Sequence, residues 1–277
     1  MATMMVGTQE VQKIMYGTEE LTTLAIGDWS FPVGGDDYSK MPLTIEIVSG
    51  GSLNITQADI NYKINDGEWE KTTGSKTLYN LQAGDTIQFL AGYGARTSLF
   101  FNSKSARFNV YGNIMSLLYE DNFEGQTVMP VSAFQQTFAW AYVLDASNLI
   151  LPDSTSNNCF DTMFWNDTLM TTAPKLPSTA ELSNYCYKSM FDGCSSLTGN
   201  FELPATTLKI GCYQGLFQNC SNLNYIKCLA TNISATNCLR NWVSGVAANG
   251  TFVKDANMSS WTTGANGIPD GWTVENA

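Results

Sequence analysis

Apolar and polar residues alternate along the chain between Pro42 and Val110, and beyond Ala133 the alternation gives way to a longer period. In the first stretch, Leu43-Thr44-Ile45-Glu46-Ile47 and Ile60-Asn61-Tyr62-Lys63-Ile64 read as strands with one face for a core. Asn65-Asp66-Gly67 supplies a hairpin turn ahead of Glu68-Trp69, and Ala83-Gly84-Asp85 turns into Thr86-Ile87-Gln88-Phe89-Leu90. Short strands at roughly ten-residue spacing, closed by Asn109 to Leu117, predict a small β-sandwich over residues 42–112.

In the longer pattern, Cys159, Cys186, Cys212 and Cys238 fall 27, 26 and 26 residues apart. The first three open one phrase: CFDTMFWNDTLM, CYKSMFDGCSSL and CYQGLFQNCSNL. A degenerate copy, AFQQTFAWAYVL, starts at Ala133, again 26 residues upstream. Self-similarity at such a period marks a solenoid, here predicted over residues 113–241. Tyr187, Met190, Phe191, Cys194 and Leu197 recur at i, i+3, i+4, i+7 and i+10, which predicts a short helix or helical turn in each repeat. Leu151-Pro152, Leu176-Pro177 and Leu203-Pro204 then end a brief strand, because proline donates nothing to a ladder. One such unit cannot bury its apolar face alone, so neighbours share a core. From Trp242 to Ala277 the pattern lapses, and glycines among Trp261 and Trp272 predict a hairpin-rich C-terminal cap.

The first 30 residues carry a second, shorter period, with Gly7, Gly17 and Gly27 ten apart. Val6-Gly7-Thr8-Gln9-Glu10-Val11 returns as Tyr16-Gly17-Thr18-Glu19-Glu20-Leu21 and fades at Ile26-Gly27-Asp28. Each copy reads as a strand and a glycine turn, too little to fold in isolation. The segment is either a leading hairpin of the sandwich or an anchor that something else completes. Residues 31–41, with Pro32, Gly34, Gly35, Asp36 and Asp37, are expected as a linker.

The phrases MFDGCSSL and LPATTL, at 190–197 and 203–208, resemble the BspA-type leucine-rich repeats of Bacteroides proteins and of phages, crAss-like ones among them, that infect these bacteria. The run Cys228 to Cys238, with Gly271-Trp272-Thr273-Val274 beyond it, is similar to the way such arrays finish, and the resemblance covers roughly 133–277. The preceding strands resemble the Ig-like module that often stands before these repeats. The Gly-Thr-x-Glu-Val phrase looks like N-terminal segments of phage virion proteins that dock a projecting module. The resemblance implies a mostly β fold with short helices: an N-terminal β anchor, an Ig-like sandwich, and a leucine-rich-repeat solenoid with a C-terminal cap.

Composition narrows the function. A net charge of −11 argues against nucleic-acid binding, and it is spread, with 15 acids against 8 bases up to residue 129 and 10 against 6 beyond. No run approaches the roughly 18 apolar residues of a membrane span. The opening MATMMVGTQEVQKIMYG has no basic start, apolar core and cleavage site, so export by a standard signal is not expected. The chain has no histidine, which removes His-activated nucleophiles and the commonest neutral metal ligand. No cofactor or metal is expected. All seven cysteines lie between 159 and 238, six of them at repeat spacing, which fits a ladder of reduced core thiols better than zinc ligands or disulfides.

Trp165 takes the place of Asp192 and Gln218 in the following repeats, and Trp140 that of Asn166, Gly193 and Asn219. Both therefore fall off the shared core, either covered by a neighbouring chain or displayed to stack on a glycan or protein. The expected function is a phage virion surface protein, a head or tail fibre or decoration without enzymatic activity. It would be made in the host cytoplasm and exposed on the particle. Gly7, Val11, Tyr16, Gly17, Leu21 and Gly27 would anchor it to other virion proteins, and the repeats would meet a host surface protein or glycan. By analogy with virion appendages it would be a homotrimer. A bacterial BspA-type surface adhesin is the alternative, and a carboxylate-based glycoside hydrolase the third class.

Overall fold

A computed structural model describes residues 5–6, 9–10, 14–16, 19–21, 23–26, 29–32, 36–94, 99–103, 105–177 and 181–277, and the chain divides into two units, Met1–Asp37 and Tyr38–Ala277. In the first unit three antiparallel hairpins follow one another. They are β1 (Met5–Val6) with β2 (Gln9–Glu10), β3 (Ile14–Tyr16) with β4 (Glu19–Leu21), and β5 (Thr23–Ile26) with β6 (Trp29–Pro32). Their closing pairs, Val6 with Gln9, Tyr16 with Glu19 and Ile26 with Trp29, advance by the ten residues of the glycine phrases. The third hairpin is the longest, not a faded copy, and it reaches Pro32, inside the stretch expected as linker. Of the expected anchor residues, Tyr16 stands opposite Glu19 and Leu21 opposite Ile14; Gly7, Val11, Gly17 and Gly27 lie outside the described residues.

In the second unit β7 (Leu43–Ser49) lies antiparallel between β12 (Thr86–Leu90) and β14 (Arg107–Asn113), and β9 (Asn61–Ile64) and β10 (Glu70–Lys71) extend the sheet beyond β12. A smaller sheet of β11 (Lys76–Leu81), β8 (Gly51–Ile55) and β13 (Phe101–Ser103) packs on it, with the Phe89 and Phe101 rings 4.5 Å apart. The alternation explains the packing: Leu43, Ile45, Ile47, Ile87 and Phe89 turn inward and are fully buried. The strand pattern expected up to Leu117 stops at Asn113, and Ser116–Tyr119 form α1, a four-residue helix and the one α-helix among the described residues. The Ser116 hydroxyl accepts the Leu43 N–H at 3.0 Å and donates to the Phe89 carbonyl at 2.9 Å, which ties the helix across both strands.

The larger sheet runs on into the repeats. Gly112 and Asn113 pair in parallel with Leu149 and Ile150 of β15 (Leu149–Ile150), and the Phe101 N–H donates to the Thr137 carbonyl at 2.8 Å. Gly112 is required there, since at φ +85° a Cβ would meet the Pro42 carbonyl oxygen at 2.1 Å. The two sheets thus cover the N-terminal end of the repeat region.

Within the repeats, the expected short helices are replaced by turns. The N–H groups of Phe160, Thr162, Phe164 and Asn166 cross to the carbonyls of Cys186, Lys188, Met190 and Asp192 in the next coil at 2.8–2.9 Å. The alternate N–H groups, of Asp161, Met163 and Trp165, bond three residues back within their own coil. An α-helix would consume every N–H internally and leave none to join the coils. Left-handed residues recur every fourth position to sustain this pattern: Asn158, Thr162 and Asn166 at φ 59°, 55° and 55°, and Gly211, Gly215 and Asn219 at 57°, 64° and 60°. The apolar spacing that suggested a helix comes from a chain of four-residue turns.

On another side of the coils, β16 (Phe201–Leu203), β17 (Tyr225–Cys228), β18 (Thr251–Lys254) and β19 (Thr273–Asn276) form a parallel ladder. In the coil between β15 and β16 the corresponding residues carry Pro174 and Pro177 and make no strand. The tail, expected to be hairpin-rich, continues this ladder in parallel through β18 and β19.

Two columns of rings fill the solenoid. One runs Phe101, Phe138, Phe164, Phe191, Phe217, with centroids 5.4–6.0 Å apart; the other runs Phe134, Phe160, Tyr187, Tyr213, at 5.7–6.2 Å. Both end on Trp242, which is fully buried and donates its indole N–H to the Gly267 carbonyl at 2.8 Å. The seven cysteines are free and buried beside the columns. Among the described residues the chain is mostly β, with one short α-helix and a β-solenoid-like C-terminal region.

Candidate functional site

The turn face of the solenoid follows from the stacking rule: positions one coil apart stand over one another. Trp140 donates its backbone N–H to the Trp165 carbonyl at 2.9 Å, and the two indoles meet with centroids 4.4 Å apart and planes at 54°. The structure therefore brings together the two tryptophans that the repeat register places outside the core. Trp140 is 49 % exposed, and Trp165 is half-buried beneath it. Tyr142, exposed at 37 %, lies two residues further along the same coil.

The backbone under Trp140 is unusual for so large a side chain. Its φ is 52°, in a row with Asn166, Gly193, Asn219 and Gly245 at 55°, 82°, 60° and 79°. The other coils fill that left-handed position with glycine or asparagine, which tolerate it; an indole there costs about 1–2 kcal/mol. Ring packing on Trp165 returns part of that, yet half of Trp140 still faces solvent. A residue set where it costs stability and buries little is a candidate for binding.

One coil beyond Trp165, at the same repeat position, stands Asp192. Its carboxylate accepts from Asn219 Nδ2 in the next coil at 3.1 Å. Partial burial raises its pKa, and side-chain hydrogen bonding only partly offsets the rise. The signal for Asp192 was present in the sequence, since it follows Phe191 as Trp165 follows Phe164. A single acid at an outward position nevertheless reads as an ordinary solvated residue.

Beneath the face lies a second carboxylate. Asp167 sits where Cys194 and Cys220 sit in later coils. Those thiols donate to the Phe164 and Phe191 carbonyls of the preceding coil at 3.1 and 3.0 Å. Asp167 instead accepts the Val143 N–H at 3.0 Å, because the first coil turns an amide inward at this point. Its other oxygen is buried without a hydrogen-bond partner. Burial outweighs the backbone bonds and pushes the carboxyl up to about 8.

Elsewhere, a cleft of about 520 Å³ opens where the strand ladder lapses, lined by Thr172, Lys175, Leu176, Asn200, Phe201 and Glu202. Its two charges are a lysine and a glutamate. Among the described residues no three of His, Cys, Asp and Glu gather as a metal site, and no helix is long and apolar enough to cross a membrane. No family model, curated protein or solved structure matches the chain.

Proposed function

We propose that the chain is a non-enzymatic surface protein of a bacteriophage particle. On this reading a BspA-type leucine-rich-repeat solenoid, fronted by an Ig-like module, is displayed for adhesion to the host cell, and the N-terminal hairpins dock it to capsid or tail proteins. The observation that carries the adhesive part is the half-exposed Trp140, held on a left-handed backbone position against Trp165. The hairpin unit supports docking: two-stranded hairpins are marginal alone in water and gain stability when a partner extends them. That unit also favours a virion over a bacterial adhesin, which shares the adhesive face.

The test removes residues 1–32. The remainder is expected to melt as the full chain does, while incorporation into particles is lost. Normal incorporation refutes the docking role, and collapse of the remainder makes the hairpins part of the main fold. Sedimentation of the full chain and of the truncated form tests the homotrimer.

A further inference from the structure

We infer that the Trp140–Trp165 corner, with Asp192 beside it, is a subsite for a neutral pyranose of a surface glycan. The inference rests on the reading of this face as the adhesive one. Its first support is size. The outward positions around the two rings are polar: Gln135, Gln136, Thr162, Asn166, Asp192 and Asn219. The apolar surface at this corner is the two rings and Tyr142, with the exposed Val131 nine residues before Trp140 on the same run of turns. A stable protein partner covers roughly 800 Å² per side with an apolar centre, which this face lacks. Two indoles suit the C–H face of one or two sugar rings, offering area at little cost in side-chain entropy.

The second support is the hydrogen bonding. An ionised carboxylate has about four acceptor sites. Asn219 occupies one on Asp192, leaving capacity for sugar hydroxyls, which donate. The Asn219 bond fixes the carboxylate and packing against Trp140 fixes the Trp165 ring, so the site is formed before a ligand arrives. The third is charge. Asp192 and a chain of net charge −11 repel uronic and sialic acids, so the fitting sugar is neutral. Successive coils are bonded like neighbouring strands, about 4.8 Å apart, so a short oligosaccharide along the stack passes from Trp140 to Asp192.

The experiment measures retention of the full chain on immobilised dextran, mannan and xylan, with alginate and polysialic acid as acidic probes and polylysine as a cationic one. It also measures binding to Bacteroides cells before and after periodate cleavage of surface vicinal diols. Retention is expected on at least one neutral polysaccharide and on none of the charged probes. Trp140→Asn, which places there the residue found at 166 and 219, should cut retention at least tenfold with a melting temperature no lower than that of the unaltered chain. Asp192→Asn should cut it several-fold. Cell binding that is lost in Trp140→Asn yet survives periodate overturns the glycan and leaves the adhesive face standing. Cell binding indifferent to Trp140→Asn overturns both, as does wild-type protein that binds no cells. Preference for polylysine or for the acidic polymers overturns the neutral sugar.

Discussion

Within residues 38–277 two regions build a dry interior in different ways. In the two-sheet region, β7 takes its partners from remote parts of the chain, Thr86 opposite Glu46 and Phe108 opposite Ile47. In the solenoid, the ring neighbours of Phe164 are Phe138 and Phe191, each in an adjoining coil. The first arrangement is closed by long loops and stands or falls together. The second is a sum of like interfaces, each answerable mainly to the coils beside it. The contrast shows why a costly residue such as Trp140 is tolerated on a coil: its strain is confined to one interface.

The largest test of this contrast is at Trp242, where both ring columns end. Trp242→Ala should cost about 3–5 kcal/mol, as large core truncations do. If the coils answer only to their neighbours, Cys212 and Cys238 should become open to alkylation in mild denaturant before Cys159 does. Simultaneous exposure of all three would show that the two regions unfold as one and would break the comparison.

Cys212→Ser probes the same ladder more gently. A hydroxyl without a partner there should cost about 1–3 kcal/mol in denaturant melts. The wild-type thiol, pushed up to about 12 by burial, should resist alkylation at neutral pH. Rapid labelling of native protein would contradict the stacked arrangement.

Asp167 makes the stability of one interface depend on pH. Its folded pKa, raised to about 8, lies above the unfolded value near 3.8, so the folded state holds the extra proton between them. The associated stability is therefore complete below about pH 4 and is lost as pH rises towards 8. No histidine titrates within that window. Asp167→Asn should flatten the decline in melts from pH 5 to 8.5. An equal slope in both proteins would remove Asp167 as its source.

The smallest pair of effects concerns the left-handed row four residues before that of Trp140, formed by Gln136, Thr162, Ser189, Gly215 and Asn241. Gly215 has φ +64°, and a Cβ there would lie 2.7 Å from the Ser189 hydroxyl, so Gly215→Ala should destabilise by about 1–2 kcal/mol. Gln136, at φ 61° in the first coil, should gain up to ~1 kcal/mol as Gly. Opposite signs in thermal melts are expected. Matching signs would mean that conformational strain does not govern the row.

The repeat and its register were legible in the sequence, because stacking needs the same side chain at the same depth in every coil. The conformation of the repeat was not. Tyr187, Met190, Phe191 and Cys194 satisfy a helix and a chain of four-residue turns equally well. The sign that separates them is glycine or asparagine at every fourth position, as at Gly211, Gly215 and Asn219, which no helix needs. In the two-sheet region the strands around Ile45, Tyr62 and Ile87 were plain from alternation. β8, β11 and β13 were not, since Gly51 and Ser52 dilute one, a register shift between Leu78 and Leu81 interrupts another, and the third has only three residues. At the candidate site the register found Trp140 and Trp165. It passed over Asp192, whose partner Asn219 lies a coil away and is visible only once the coils are stacked.

The third coil makes the same kinds of bond with its neighbours on both sides: Phe160 donates to Cys186 below it, and Tyr187 to Cys212 above. Duplication of its 26 residues, 186–211, would therefore lay down a new rung whose upper and lower seams are copies of ones already present. Length in this protein is a modular variable. A lineage could lengthen its reach by in-frame recombination between neighbouring repeats, without having to invent a single new contact.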